Sequence, residues 1–589
     1  MPPTQLLISP PSPSEEVRLI PLCPLPQPTA RDLLKAVAEA RGCVGPDAIR
    51  RFFTVPEKLE NPITVLTGYP AARARIQAAI AAQEVITIYG DYDVDGQTSL
   101  VLMLDLLRAA GAKNVRVFAP DRVEDDYGLT VSGVAKCLEL HHPTLIVSVD
   151  CGSPSLAVIA DLKTKGIDTI VVDHHGLPPY EGRHPALAHL NPKDKDAGGT
   201  DELRSLSAAG LVYLFAEALA SEWHVDKWDQ RRAVIMGGLG TLVDVMPLTG
   251  LNRTLVKMSM ALANRGDLLV RLPGLELLRD QCSVTEINSW AYGFVFGPHL
   301  NATGRVANAR TSISLLGART QAAAAPFVAD AIARNKERKD IQKVVQEQAE
   351  KQVESQMTYS PERRIVVLAD KAWHPGVVGI VAGRIKEVIR RPVFVCGWNE
   401  EGFWKGSGRS VPGIDLGQIV HAAVKAGVLM GGGGHAMAAG IKIAENGLPA
   451  LTEWIDAQTK DIALDLSRSY EVLAEAELFS VNQWLDLYRH LEPFGNSNPR
   501  PNLWMPRAEL IEPPRMLNKK ADGKPWAVCG MFQGPRGGRL RITWKNVTEA
   551  QALWEVGKSY RLVLSLTRTT SRGQTYDNWD VLDCREIEP

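Results

Sequence analysis

Between about Thr67 and Gly250, short β-branched runs alternate with amphipathic stretches, the pattern of a parallel α/β sheet. Three of the runs end on acid. Val85 to Tyr89 leads into Gly90-Asp91-Tyr92-Asp93-Val94-Asp95-Gly96, Leu145 to Val149 into Asp150-Cys151-Gly152, and Thr169 to Val172 into Asp173-His174-His175. Open α/β sheets bind ligands in the crevice beyond the carboxyl ends of their strands, so these loops are expected to converge on one place. Asp244, after the apolar stretch Val234 to Val243, is a fourth candidate for it.

Further along, Ile341, Val345, Ala349 and Val353 recur every four residues among Lys, Arg, Glu and Gln, with no Gly or Pro inside the stretch Pro326 to Met357. The spacing predicts a long helix. At ~1.5 Å per residue it would span on the order of 45 Å, too far for one small core, so it is expected to connect domains, with a coiled-coil dimer arm as the alternative. A second α/β unit is predicted from about Arg364 to Leu451, containing the glycine run Gly431 to Gly434. A glycine run is ordinarily a flexible turn, although its N–H groups can also nest an anion.

After Tyr470 the chain turns strand-rich (Trp526 to Phe532, Leu540 to Trp544, Tyr560 to Thr567, Trp579 to Leu582), which suggests a small β-barrel. This is where charge changes the picture. The whole chain of 589 residues carries 66 Lys and Arg against 67 Asp and Glu, a formal net charge of -1 that offers no argument for a nucleic-acid partner. From Arg500 to Lys545, however, ten Lys and Arg face three Asp and Glu, and Trp484, Trp504, Trp526, Trp544, Trp554 and Trp579 all fall after Tyr470. Barrels of the oligonucleotide-binding (OB) type hold single strands with basic grooves and interleaved aromatics. For any single Trp, burial in a β-core is the plainer role; the charge excess makes binding the better reading for the domain.

The length implies three or four domains, and 45% hydrophobic with 23% charged residues is the composition of a folded globular chain. The start has no secretory pattern, and the longest apolar helix candidate, Leu206 to Ala220, contains Glu217 and is shorter than the ~18 residues a span needs. Eight cysteines show no paired spacing, so a reducing cytoplasm without membrane attachment is expected.

So many carboxylates share one crevice only if cations neutralise them or some stay protonated, and metal binding is the simpler answer. The first loop mimics a calcium loop, Asp-x-Asp-x-Asp-Gly, but its twelfth position is Leu102 where calcium needs a bidentate Glu. Carboxylates mixed with imidazoles suit Mn²⁺ or, less well, Mg²⁺. Two ions sharing a carboxylate suit phosphate-ester hydrolysis. A phosphate would also need donors outside the metal set, and candidates lie in Asn301-Ala302-Thr303-Gly304-Arg305, in Gly406-Ser407-Gly408-Arg409-Ser410, at Gly431 to His435, and at Arg122.

These residues resemble a known family. Gly90 to Gly96, Asp150-Cys151-Gly152, Asp173-His174-His175 and Asp244 are similar to the ordered motifs of the DHH phosphoesterase superfamily, and Gly432 to Gly440 to the signature of its DHH-associated domain. More narrowly, Asp125 to Leu129, Val243 to Leu248, Gly297 to Ala302, His374 to Ile380 and Pro493 to Pro499 resemble segments of the RecJ family, in that family's order, with coverage from about residue 30 to the end.

The resemblance implies a single-strand-specific 5′ to 3′ DNA exonuclease of repair and recombination that releases mononucleotides with two ions, Mn²⁺ or Mg²⁺. By carry-over, Asp93 and Asp150 would hold one ion and Asp95, Asp150, His174 and Asp244 the other, with Asp91 a further ligand. His175 would face the scissile phosphate, with Asp173, Asn301, Arg305 and His435 assisting. Arg122, Ser407 and Arg409 would form the pocket for the 5′-terminal phosphate, with Gly433 and Gly434 close to it. Tyr89 stands where many superfamily members place a metal-binding His, and by the same resemblance the extra C-terminal domain of some family members is not expected after the barrel.

The expected organisation is α/β: an N-terminal extension over 1–60, a DHH domain with a parallel sheet over 61–280, a linker with the long helix over 281–358, a DHH-associated domain over 359–465 and an OB-type barrel over 466–589. Single-stranded DNA is the expected partner of a monomer, with a RecQ-type helicase and a single-strand-binding protein as further candidates. Two rivals stand beside this reading. A nano-RNase or cyclic-dinucleotide phosphodiesterase shares the metal motifs but lacks the barrel, and a non-catalytic scaffold of a replication complex would not need the metal ligands kept here.

Overall fold

In the computed structural model the described residues are 17–121, 125, 128–177, 179–306, 308–464, 468–519, 525–545, 554–571 and 574–587. They divide into two compact units, one drawn from 41–338 and 491–499, the other from 1–40, 339–490 and 500–589. Strand β1 (Val17–Pro21) begins the described chain. Strands β2 (Ile86–Gly90), β3 (Val115–Phe118), β4 (Leu145–Val149), β5 (Asp168–Val172) and β6 (Ala188–Leu190) form the sheet of the first unit. Their order is β3-β2-β4-β5-β6, and every pair is parallel, as the alternation of strand and helix patterns predicts. Ile88 and Val147 on one face and Thr87 and Ile146 on the other are fully buried, as expected of strands covered on both faces.

The order in which strands are added reverses at β2, because β3 pairs on one side of it and β4 on the other. That switch point opens a crevice at the carboxyl ends of β2, β4 and β5. Helices Val94–Ala109, Ala208–Glu222 and Gln230–Val243 pack over one face of the sheet in a large core that includes Leu100, Leu107, Phe215 and Met236. The other face carries a smaller core of Tyr89, Phe118, Cys137, Ile146 and Val171.

In the second unit, β7 (Val366–Asp370), β8 (Val393–Trp398), β9 (Trp404–Arg409), β10 (Gly431–His435) and β11 (Ala438–Ile443) form a mixed sheet of order β10-β11-β9-β8-β7. The glycine run is therefore a strand rather than the flexible turn expected of it: β10 pairs antiparallel with β11 from Gly431–Lys442 to His435–Ala438. Gly has no intrinsic preference for a strand; the ladder to β11 decides the conformation.

The long helix is present and runs from Gln321 to Tyr359, five residues earlier than its pattern suggests. It is not a bare connector. Ala324, Val328 and Ala331 belong to the large core of the first unit, and Val345, Ala349 and Val353 pack with Leu368, Val377 and Ile385 in the second.

The remaining strands are β12 (Arg468–Glu475), β13 (Asn502–Leu510), β14 (Arg515–Lys519), β15 (Pro525–Gln533), β16 (Arg539–Lys545), β17 (Ser559–Ser571) and β18 (Gln574–Ile587). They make a sheet of order β1-β12-β13-β17-β18-β16-β15-β14, with β13 also bonded to β15. Strands β13, β17, β18, β16 and β15 are thus hydrogen-bonded in a closed cycle. Burial gives most of the tryptophans here the plainer role, a place in the β-core. Trp484, Trp554 and Trp579 are core residues, and Trp504 and Trp544 alone among the described indoles of this region are partly exposed; the side chain of Trp526 lies outside the described residues.

Candidate metal centre

The loop after β2 is shaped by its own carboxylates. Asp93 caps the helix Val94–Ala109, its Oδ1 accepting from the N–H groups of Asp95 at 3.0 Å and Gly96 at 3.2 Å. The helix Gly297–Val306 lies against this loop, where Asn301 Oδ1 accepts from the Val94 N–H at 3.2 Å. Gly304 permits that approach: a Cβ there would stand 2.7 Å from the Tyr92 carbonyl oxygen. Asp95 lies at the start of the Ala208–Glu222 helix and accepts from the N–H groups of Ala208 and Ala209, both at 2.9 Å. Asp244 is the C-cap residue of helix Gln230–Val243. Asp150, just past β4, has φ of 59°, in the left-handed region where Asp is one of the few tolerated residues.

These elements bring the predicted acids and imidazoles together. Three overlapping groups, Asp91-Asp93-Asp150, Asp95-His174-Asp244 and Asp150-His174-His175, each offer ligand atoms within 4.8 Å of one another. His174 Nε2 is buried without a hydrogen-bond partner and faces Asp150 Oδ1 at 3.4 Å, Asp95 Oδ2 at 3.7 Å and Asp244 Oδ2 at 3.7 Å. A buried imidazole nitrogen aimed at three carboxylates without bonding any of them is the donor set a divalent cation takes up.

Electrostatics agree. Burial and the neighbouring Asp93 push the Asp95 carboxyl up to about 7. Burial and the other acids raise Asp150 and Asp244 well above the usual carboxylate range. Burial, with His175 beside it, pushes His174 down to about 3, which keeps the ring neutral with one nitrogen lone pair available. The carboxylates cannot all ionise here without added positive charge, so the residues fit a cation site.

Asp173, expected among the catalytic residues, sits behind the cluster. It is fully buried; Oδ1 accepts from His175 Nδ1 at 2.7 Å and from the N–H of His174 at 2.7 Å, and Oδ2 accepts from the Ser153 N–H at 3.0 Å. Its carboxylate is thus taken up by His175, His174 and Ser153. Burial disfavours the charged imidazolium of His175, but Asp173 outweighs that and raises it above the ordinary histidine value. Tyr89 turns away from the acids: its ring stacks on Phe118 at 5.2 Å and its hydroxyl donates to the Gly128 carbonyl. Arg305 is half-buried on the helix that carries Asn301. Arg122 lies outside the described residues.

The remaining predicted residues belong to the other unit and form a group of their own. Strand register aligns Ser407 with Gly440 and Gly433, and Arg409 with Ala438 and His435. Directly paired residues point to the same face, so Ser407, Arg409, Gly433 and His435 share one, while Gly434 belongs to the opposite face. Arg409 Nη1 donates to Ser407 Oγ at 2.9 Å. A Cβ on Gly379, in helix Pro375–Ile389, would lie 3.0 Å from Ser407 Oγ and 3.3 Å from Arg409 Nη2, so that helix backs the pair.

Sequence reasoning missed Ser153 and Asn191, which bond to Asp173 and His175, and His189 and Asp194 behind them. The strand-end rule would have flagged Asn191, the first residue after β6.

Comparison with known proteins places this geometry. Residues 85–236 match the model of the DHH family N-terminal domain, and residues 362–461 that of the DHHA1 domain. Single-stranded-DNA-specific exonuclease RecJ of Dickeya dadantii is 31% identical over 463 residues, covering 74% of this chain and 77% of that protein. The Bacillus subtilis protein of the same name is 31% identical over 451 residues, 76% of this chain; the chain spans only 55% of that relative. The crystal structure of RecJ in complex with Mn²⁺ from Thermus thermophilus superposes with a TM-score of 0.75 at 26% identity, covering 97% of this chain and 80% of that one. With an acid-rich crevice at the strand ends and relatives of this extent, the chain belongs to the RecJ family.

Proposed function

We propose that this protein is a single-strand-specific 5′ to 3′ DNA exonuclease that hydrolyses phosphodiester bonds with two divalent cations, Mn²⁺ or Mg²⁺, and releases 5′-mononucleotides during repair and recombination. The observation that carries the reading is the sharing of Asp150 between two ligand groups, one with Asp91 and Asp93 and one with His174, which adjoins Asp95 and Asp244. Cations held there would supply Lewis acidity to a phosphate ester and lower the pKa of water.

The chain's own groups then have separable tasks. Asp91, Asp93, Asp95, Asp150, His174 and Asp244 hold the ions. His175, steadied by Asp173, presents its ring edge as a proton carrier, and Arg305 and Asn301 orient the scissile phosphate. Ser407 and Arg409, with His435, Gly433 and Gly434 nearby in sequence and register, hold phosphate through charge-assisted hydrogen bonds, together with Arg122. The closed five-strand cycle and the surplus of Lys and Arg from Arg500 to Lys545 support reading the C-terminal region as an OB-type barrel that grips the strand. The same reading keeps the five-part organisation and makes the protein a cytoplasmic monomer with helicase and single-strand-binding partners. None of the described helices is long and apolar enough to cross a membrane.

The test is digestion of 5′- and 3′-end-labelled single strands with Mn²⁺, by the wild type and by Asp150→Ala. Loss on the order of 10³-fold is expected for the variant, with label released first from the 5′ end. Equal activity of the two proteins would refute the metal assignment, and attack from the 3′ end would refute the polarity.

A further inference from the structure

We propose that Ser153, His189, Asn191 and Asp194 form a positioning relay that fixes the ring of His175 for the reaction; the inference rests on the exonuclease reading and deepens it. Ser153 is wholly buried and uses every polar group it has. Its N–H donates to Asp173 Oδ2 at 3.0 Å, its carbonyl accepts from His184 Nε2 at 3.1 Å, and its hydroxyl oxygen lies 2.9 Å from His189 Nε2 and 2.8 Å from Asn191 Nδ2. Behind it, His189 Nδ1 stands 2.7 Å from Asp194 Oδ2.

The direction of each bond follows from donor chemistry. An ionised Asp194 only accepts, so His189 carries its proton on Nδ1 and its Nε2 accepts from the Ser153 hydroxyl. Asn191 Nδ2 has two hydrogens; one goes to Ser153 Oγ and the other to the His175 carbonyl at 2.8 Å. Ser153, His189 and Asp194 thus have the connectivity of a hydrolase triad, but a hydroxyl on a fully buried residue cannot reach a substrate. What the relay does reach is His175, from two sides. Asn191 grips its backbone carbonyl, and the Ser153 N–H orients the Asp173 carboxylate that accepts from its Nδ1. Together these contacts fix where the ring of His175 stands and turn its Nδ1 toward Asp173.

The test compares wild type, His189→Gln and His189→Asn in steady-state digestion of single strands with Mn²⁺, alongside Mn²⁺ affinity by calorimetry and Tm. The Gln amide reaches the Nε2 position and keeps the Ser153 contact, whereas the Asn amide keeps only the Asp194 contact. His189→Asn is expected to lower kcat ~10-fold or more while KM and Mn²⁺ affinity stay within about twofold, and His189→Gln to recover most of the loss. Should His189→Asn not fold, Ser153→Ala is the second variant, with the same expected fall in kcat. Wild-type kcat in both His189 variants, or equal losses that follow Tm, would overturn the relay while leaving the exonuclease reading intact. A wild type that cleaves no single strand would overturn that reading and the relay with it.

Discussion

The acidic centre and the basic face of Ser407, Arg409 and His435 are both polar clusters on α/β sheets, yet they are built in opposite ways. The acidic centre draws its groups from the ends of β2, β4 and β5, the start of one helix and the end of another, and it is buried. The basic face needs only strand register: β9, β11 and β10 lie side by side and place the residues in rows on a half-exposed surface. Burial is what makes the first cluster costly without cations and the second inexpensive without a ligand.

The largest effect that would sharpen this contrast is on ligand selectivity. Arg409→Ala is expected to weaken use of 5′-phosphorylated strands ~10- to 100-fold, the worth of a charge-assisted pair, with strands ending in a 5′-hydroxyl almost unaffected. Arg409→Lys should restore only part, because an ammonium lacks the planar fork. Competition between the two strand types reads this, and equal losses on both would break the assignment of the basic face.

A smaller effect is expected in the stability of the acidic centre. The Asp95 carboxyl is raised to about 7 from an ordinary 3.8, so the folded protein binds the extra proton across that interval and the unfolded chain does not. Its neutral form is fully present below about pH 4, and stability is lost as pH rises through about 7. In chelator, Tm should therefore be lower at pH 7.5 than at pH 5.5, by ~3 °C or more, and Mn²⁺ should reverse the loss at pH 7.5. A chelated protein more stable at pH 7.5 would contradict the burial argument.

The smallest effect concerns Val245, next to Asp244. It is a β-branched residue with φ of 60° and its side chain is exposed, so it carries strain and buries little in return. Val245→Gly should stabilise the protein by ~1 kcal/mol in urea unfolding. A loss of stability would mean that the backbone there is not strained.

Much of the acidic centre was legible because each strand is a β-branched run that stops on Asp, and a polar residue at that boundary has few roles besides a site. Asp244 was legible for the same reason, following an apolar helix. The relay behind His175 was not, since Ser153 and Asp194 are ordinary polar residues until the fold places them on either side of His189. The tryptophans after Tyr470 were ambiguous for a related reason: an indole has the same composition whether it faces a core, as Trp484 does, or solvent.

By itself the sequence determined the parallel sheet, the long helix, the acids and imidazoles of the centre and the family to which they belong. These follow from local rules, periodicity and the residues that end each element. Only the tertiary structure decided that the glycine run pairs as β10, that β1 joins the C-terminal sheet beside β12, that the long helix contributes to two cores, and that Asp173 faces His175 rather than the crevice. Each of those depends on what a residue meets across space, and hydrogen bonds and burial between distant segments leave no period in the chain.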